Sequence, residues 1–173
     1  MTRIVTDDNF AQVVRLAPLV SIDLIIRDPI QNVLVARRTS EPAKGFYFVP
    51  GGRIRKDETI EAAFVRILKV ETGIQIGFDR TQFRGVFQHF YSTNRYGLGD
   101  FGTHYVVLAY ELRLDCRPTI ILDDQHSDCR WMSEEELKAA ADVHDNTKAF
   151  FLLGRRSRVS QGHRKAITVG SIT

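Results

Sequence analysis

The sequence predicts a single α/β (α+β) domain in which a mixed β-sheet is sandwiched between helices. Three observations predict it. Apolar, β-branched or aromatic runs recur at residues 19–26, 33–36 and 46–49; a strongly amphipathic segment follows at 60–72; two long strand patterns then precede a helix-capping box. The length of 173 residues suits one domain with a substantial core, and no internal repeat or Pro-, Gly- or Ser-rich linker divides it. The domain is assigned to residues 1–154, and residues 155–173 to a basic C-terminal tail open to disorder.

Each element follows from local chemistry. The run at 19–26 is interrupted only at Ser21 and Asp23, and the turn-forming Asp28-Pro29-Ile30-Gln31-Asn32 joins it to the run at 33–36, so the two read as a hairpin. A short aromatic strand at 46–49 ends against Pro50. In the segment at 60–72, Ile60, Ala63, Phe64, Ile67 and Leu68 follow the i, i+3, i+4, i+7, i+8 pattern, and Gly73 supplies the helix stop. Strands are predicted at 83–91 and 104–114, flanking a polar, glycine-bearing loop at 92–102. Ser133-Glu134-Glu135-Glu136 is a capping box that opens a helix ending near Ala141, and a last helix is predicted at 146–153.

Composition narrows the function classes. A hydrophobic fraction of 43% and a charged fraction of 26% are those of an ordinary soluble protein. No apolar run approaches the roughly 18 residues of a membrane-spanning helix, and the first ten residues lack the apolar stretch of a secretory signal. Cys116 and Cys129 form no C-x-x-C pair and are expected as reduced thiols in a cytoplasmic protein. The net charge is only +3, with Arg155, Arg156, Arg158, Arg164 and Lys165 crowded into the tail. No aromatic residues accompany them, so a solvated tail is expected rather than a nucleic-acid surface. Arg37, Arg38, Arg53 and Arg66 instead bracket Pro50-Gly51-Gly52, an arrangement suited to a small polyanion such as a diphosphate.

One residue breaks the pattern of the helix at 60–72. At 100° per residue, Glu71 falls within about 20° of Ile60, on the apolar stripe. A carboxylate there is costly unless it pairs with a cation or binds a metal; fraying of the helix end is the alternative. Gly52, Glu58, Arg66, Glu71, Gly73 and Ile74 stand at the spacing G-x5-E-x7-R-x4-E-x-G-[aliphatic]. This resembles the Nudix box, and with it a Nudix fold is implied. Gly51 and Gly52 allow close backbone approach to a ligand, Arg66 can pair with Glu58 to fix the loop, and hard carboxylate oxygens suit Mg²⁺. Where the usual box has two further glutamates, this chain has Ile67 and Val70. The helix therefore offers one metal ligand and no catalytic base.

That altered box, together with Phe48-Val49-Pro50-Gly51-Gly52-Arg53, Gln88-His89-Phe90-Tyr91, the segment at 103–108 and Asp124-Gln125-His126, resembles the GDP-mannose mannosyl hydrolases. The resemblance runs from about Phe10 to residue 153 and implies a set of roles. One Mg²⁺, replaceable by Mn²⁺, is held by the carbonyl of Gly51, the carboxylate of Glu71 and the amide of Gln125. His126 is the general base for water attack at the sugar C1, with inversion. Arg38, Arg53 and Tyr105 surround the phosphates, and Arg38 and Tyr105 assist departure of GDP. Asp23 and His89 lie near the substrate, and Phe10 contacts the guanine. The resemblance also implies a homodimer.

The chemistry is self-consistent. Histidine titrates near 6.5 and can serve as base at neutral pH, while GDP is a good enough leaving group to need no general acid. GDP-mannose, or GDP-glucose, is the expected substrate. Two rivals remain open: the commoner Nudix attack at phosphorus of a nucleoside diphosphate derivative, and a non-catalytic nucleotide-sugar sensor.

Overall fold

The structure, a computed structural model, describes residues 7–97, 99, 101–123 and 125–152. The basic tail assigned to 155–173 lies outside the described residues. The architecture is the expected one, a seven-stranded mixed sheet with helices on both faces.

Strand β1 (Leu19–Arg27) is the spine of the sheet. On one side it runs parallel to β6 (Thr103–Arg113) along its full length, and β6 in turn pairs antiparallel with β5 (Thr81–Tyr91). On the other side its first half pairs antiparallel with β4 (Gly51–Arg53) and its last residue with β2 (Val33–Arg38). The expected hairpin thus exists only at its base, Arg27↔Val33. The cause is β4, which occupies the edge of β1 at Ser21, Ile22 and Asp23. Strand β2 turns instead to β3 (Tyr47–Phe48) and β7 (His126–Met132).

Alternation along β1 sorts its side chains between two cores. Ile22, Leu24 and Ile26 are fully buried beneath helix α2 (Ile60–Thr72), packed with Phe64, Ile67, Leu68 and Leu112. Ile25 faces the opposite core, where Tyr47, Val107, Leu137, Val143 and Phe150 meet helices α3 (Glu134–Ala139) and α4 (Asp145–Leu152). A sheet covered on both faces explains why β1 reads as a nearly continuous apolar run. Ser21 and Asp23 interrupt that run on the face of Ile25, and both line a cavity. No helix among the described residues is long and apolar enough to cross a membrane.

Helix α2 carries the caps its sequence promises. Thr59 Oγ1 accepts a hydrogen bond from Ala62 N at 3.2 Å, and Gly73 ends the helix in the left-handed conformation at φ 76°, its N–H donating to the carbonyl of Lys69. The Ser133–Glu136 capping box is present, although α3 stops at Ala139, short of the expected end. Four elements go beyond the sequence-based expectation: helix α1 (Asp7–Leu16), strands β4 and β7, and a 3₁₀ turn at Phe78–Arg80. Cys129, on β7, is partly buried, while Cys116 is exposed, and both are free thiols.

A forked ion pair ties α2 to the segment that follows β4. Arg66 Nε and Nη2 donate to Glu58 Oε1 and Oε2 at 2.6 and 2.8 Å, and Nη2 also reaches the carbonyl of Arg53 at 2.9 Å. Glu58 Oε2 accepts the backbone N–H of Arg55 as well. The Arg66 hydrogen bond is the main reason that the Glu58 carboxyl is held down from 4.5 to about 2. A depressed carboxyl stabilises the fold at pH above its unfolded value and loses that contribution as pH falls through its folded value. We therefore expect Glu58→Gln to cost about 1 kcal/mol at neutral pH, allowing for partial solvent screening. In chemical denaturation the gap to the unmodified chain should close as pH is lowered from 4.5 towards 2.

Candidate active site

Two glycines let α2, β4 and β1 approach closely enough to build one wall of a cavity of about 320 Å³. A Cβ on Gly51 would sit 2.6 Å from Asp23 Oδ1 and 2.9 Å from the carbonyl of Ile22, so only glycine fits. A Cβ on Gly52 would come within 3.2 Å of Ile67 Cγ1. Ile67, where the usual box has a glutamate, is therefore a core residue wedged against the glycine loop. Val70, at the other altered position, is half exposed on the cavity wall.

The deep end of the cavity is acidic. Glu71 is 8% exposed. His126 Nδ1 lies 3.5 Å from Glu71 Oε2 and 2.7 Å from Asp123 Oδ1. Asp123 also accepts the backbone N–H of Gln125 at 3.0 Å and its side-chain amide at 3.2 Å. Burial, then the neighbouring Asp123 carboxylate, push the Glu71 carboxyl up to about 8, against the opposing charge of Arg38. Burial lowers the pKa of His126, and its hydrogen bond with Asp123 works the other way. Ligand atoms of Glu71, Asp123 and His126 lie within 4.8 Å of one another. A buried carboxylate crowded by a second one remains raised despite the Arg38 charge, so the site is short of positive charge. Its hard oxygen donors fit a divalent cation such as Mg²⁺.

Histidine 126 opens β7, paired with Arg38 across a bulge at the end of β2, and Thr39 N donates to the carbonyl of Gln125 at 2.9 Å. His126, the base implied by the resemblance, is thus held in the sheet. Arg38 Nε is buried without a hydrogen-bond partner among the described residues, as is His89 Nε2. His89 Nδ1 is 4.0 Å from Asp23 Oδ2. Burial raises Asp23 to about 7 and lowers His89 to about 4, so His89 is neutral at physiological pH and the contact is a polar one. Burial likewise raises Tyr105, which stays a phenol able to donate.

The outer end is aromatic and cationic. The Arg53 guanidinium lies 3.7 Å from the centre of the Phe10 ring, and Phe10 meets Tyr96 edge-on at 6.1 Å. Phe10, Asp23, Arg38, Gly51, Gly52, Arg53, Arg66, Glu71, His89, Tyr105, Gln125 and His126 all line this one cavity. Glu58 and Gly73 do not; they act on the scaffold, through Arg66 and the α2 cap. Sequence reasoning passed over two residues that line the cavity, Tyr91 and Arg95, and one behind its wall, Asp123, which holds His126. Asp123 could have been noticed as an acid three positions before a histidine. Tyr91, quoted only within the segment at 88–91 and given no role, and Arg95, outside every motif, reach the cavity through the pairing of β5 with β6.

The NUDIX domain matches residues 17–162. The low-salt glycan biosynthesis protein Agl8 of Haloferax volcanii is 38% identical over 123 residues, 71% of this chain and 76% of that protein. An ADP-ribose pyrophosphatase of Methanocaldococcus jannaschii is 41% identical over 59 residues, 34% of each chain. Among solved structures, the MutT protein of Methanosarcina mazei superposes with a TM-score of 0.63 at 19% identity, covering 78% of this chain and 91% of its own. A MutT NUDIX hydrolase of Burkholderia pseudomallei gives 0.63 at 22% identity, covering 77% and 95%. These two likenesses speak for the fold, and the domain match together with the Haloferax relative shows the family: the chain belongs to the Nudix hydrolases.

Proposed function

We propose that the chain hydrolyses a nucleotide sugar, GDP-mannose foremost and GDP-glucose next, to GDP and free hexose by attack of water at the anomeric carbon with inversion. One observation carries this reading: His126 stands in the cavity with Nδ1 held by Asp123 at 2.7 Å, which leaves Nε2 to take a proton from water. The helix itself offers no such base, since Ile67 is packed into the core and Val70 is apolar. The Haloferax relative, named for glycan biosynthesis, supports a sugar-bearing substrate.

In this scheme Asp123 fixes the tautomer and plane of the imidazole and steadies its protonated form after it accepts a proton. Asp23 and His89 hold the hexose hydroxyls, using the His89 Nε2 that has no partner within the described chain. The buried guanidinium of Arg38 and the phenol of Tyr105 stabilise the negative charge that gathers on the departing diphosphate. Mg²⁺, or Mn²⁺ in its place, would be held by Glu71 with the carbonyl of Gly51 and the amide oxygen of Gln125. When bound, it neutralises diphosphate charge and so improves the leaving group. The expected setting is a cytoplasmic homodimer.

Attack at phosphorus is the rival that the pyrophosphatase relative keeps in view. Hydrolysis of GDP-mannose in ¹⁸O-water should put the label in mannose, whereas label in a phosphate would overturn the proposal. His126→Gln should lower kcat by about a thousandfold while GDP-mannose still binds; near-normal turnover would remove His126 from the role of base.

Asp123→Asn takes away the charge that counters burial at His126. The acid limb of kcat/KM should move to lower pH and kcat should drop about tenfold or more, as read from a pH–rate profile.

Binding of Mg²⁺ requires Glu71 to shed its proton. Metal affinity should weaken as pH falls below about 8, and calorimetry in buffers of different ionisation enthalpy should detect proton release. Glu71→Gln should lose the Mg²⁺-dependent rise in melting temperature.

A further inference from the structure

The outer end of the cavity is only partly used by the proposed chemistry. Five arginines line the cavity: Arg38, Arg53, Arg55, Arg66 and Arg95. Arg66 is committed to Glu58, and Arg38 serves the deep end. Arg53 and Arg95 have no carboxylate partner among the described residues.

Register places these two groups. Gly51 pairs with Asp23 at the deep end, and Arg53 pairs with Ser21, two residues or about 7 Å further out. Arg53 rests on the ring of Phe10, and the edge contact between Phe10 and Tyr96 brings the tip of the β5–β6 loop to the same place. Arg95 immediately precedes Tyr96 in that tip. The tip is held by Asn94, only 3% exposed, whose Nδ2 donates to the carbonyl of Phe101 at 2.9 Å and whose Oδ1 accepts Tyr96 N at 3.0 Å. Arg95 and Arg53 line the same cavity as Tyr105. Two like charges kept at one mouth of a cavity, neither paired with a carboxylate among the described residues, make a seat for an anion.

We propose that Arg95 is a specificity residue that acts with Arg53 to grip the nucleoside-side phosphate, about one phosphate further out than the group beside the reacting bond. This rests on the nucleotide-sugar reading above. It makes a diphosphate, rather than a sugar monophosphate, the unit that the cavity measures, with the base left beside Phe10 and Tyr96. Arg95 touches the part of the substrate that does not react, so its loss should fall mainly on binding.

The test uses the full chain with Mg²⁺. Arg95→Ala, a change at an exposed side chain, should raise KM for GDP-mannose and Ki for GDP about tenfold, lower kcat less than threefold, and leave Ki for mannose 1-phosphate within twofold. Arg95→Lys should recover part of the GDP affinity. Unchanged Ki for GDP overturns the assignment, and equal weakening of mannose 1-phosphate reduces Arg95 to a diffuse electrostatic role and overturns it too. If the unmodified chain binds GDP through Arg95 but releases no hexose, the catalytic reading fails and the phosphate site stands. If it binds neither GDP nor GDP-mannose, both fail.

Discussion

The carboxylate of Glu71, set into the apolar stripe of α2, is the constraint around which the site is arranged. Burying a carboxylate disfavours its charged form, and the raised pKa of Glu71 expresses that cost. The same burial makes Glu71 a strong partner for a cation once one arrives. Everything that brings the carboxylate to the cavity is geometric: the absence of a side chain at Gly51 and Gly52 lets β4 lie against β1 and lets Ile67 seat against the loop. A larger residue at Gly51 would meet the Asp23 carboxylate and the backbone beneath it. The proposed metal ligand and the proposed sugar-facing acid, Asp23, are therefore coupled through one glycine.

Around that point the cavity is polarised. Glu71, Asp123 and Asp23 gather at one end, and Arg53 and Arg95 stand at the other, with Arg38 and Tyr105 between them. An elongated substrate with a neutral sugar, two phosphates and a base matches that sequence of environments. Burial acts differently on each group: it keeps His89 neutral, raises Asp23 to about 7, and keeps the tyrosines protonated. The low dielectric that makes these groups neutral also strengthens the pull of the buried Arg38 guanidinium on a departing phosphate.

Much of this was legible in the sequence, for reasons that can be named. Helix α2 announced itself through period, N-cap and terminal glycine, and Glu71 stood out because it violated the period. Strand β1 was visible because both its faces are buried. Strand β4 was not, since Gly51 and Gly52 have no intrinsic preference for extended structure and become a strand only where β1 offers an edge. Strand β7 was hidden by its polar residues: all seven positions, from His126 to Met132, show exposure or partial exposure rather than an apolar alternation. Helix α1, which carries Phe10, holds few strong signals beyond its two initial aspartates. The cavity residues on α2 and β1 could thus be read locally, whereas Asp123 and Arg95 acquire meaning only when the chain is folded.

The altered helix positions explain why the proposed chemistry moved from helix to sheet edge. A glutamate in place of Ile67 would set a charge beside Gly52, at a position that the core now fills with a buried aliphatic side chain. Hydrophobic packing at that position makes the glycine loop tighter but removes the carboxylates that elsewhere in the family gather several metal ions around phosphorus. A single cation can still draw charge from a diphosphate, which leaves the bond from the anomeric carbon as the one weakened by its departure. In the proposed reaction water must then be activated on the sugar side, by a group that the helix does not supply. His126, carried in by β7 and braced by Asp123, stands beside Glu71 and fills that proposed role. The apolar positions on α2 and the braced imidazole on β7 are two aspects of the one mechanism proposed.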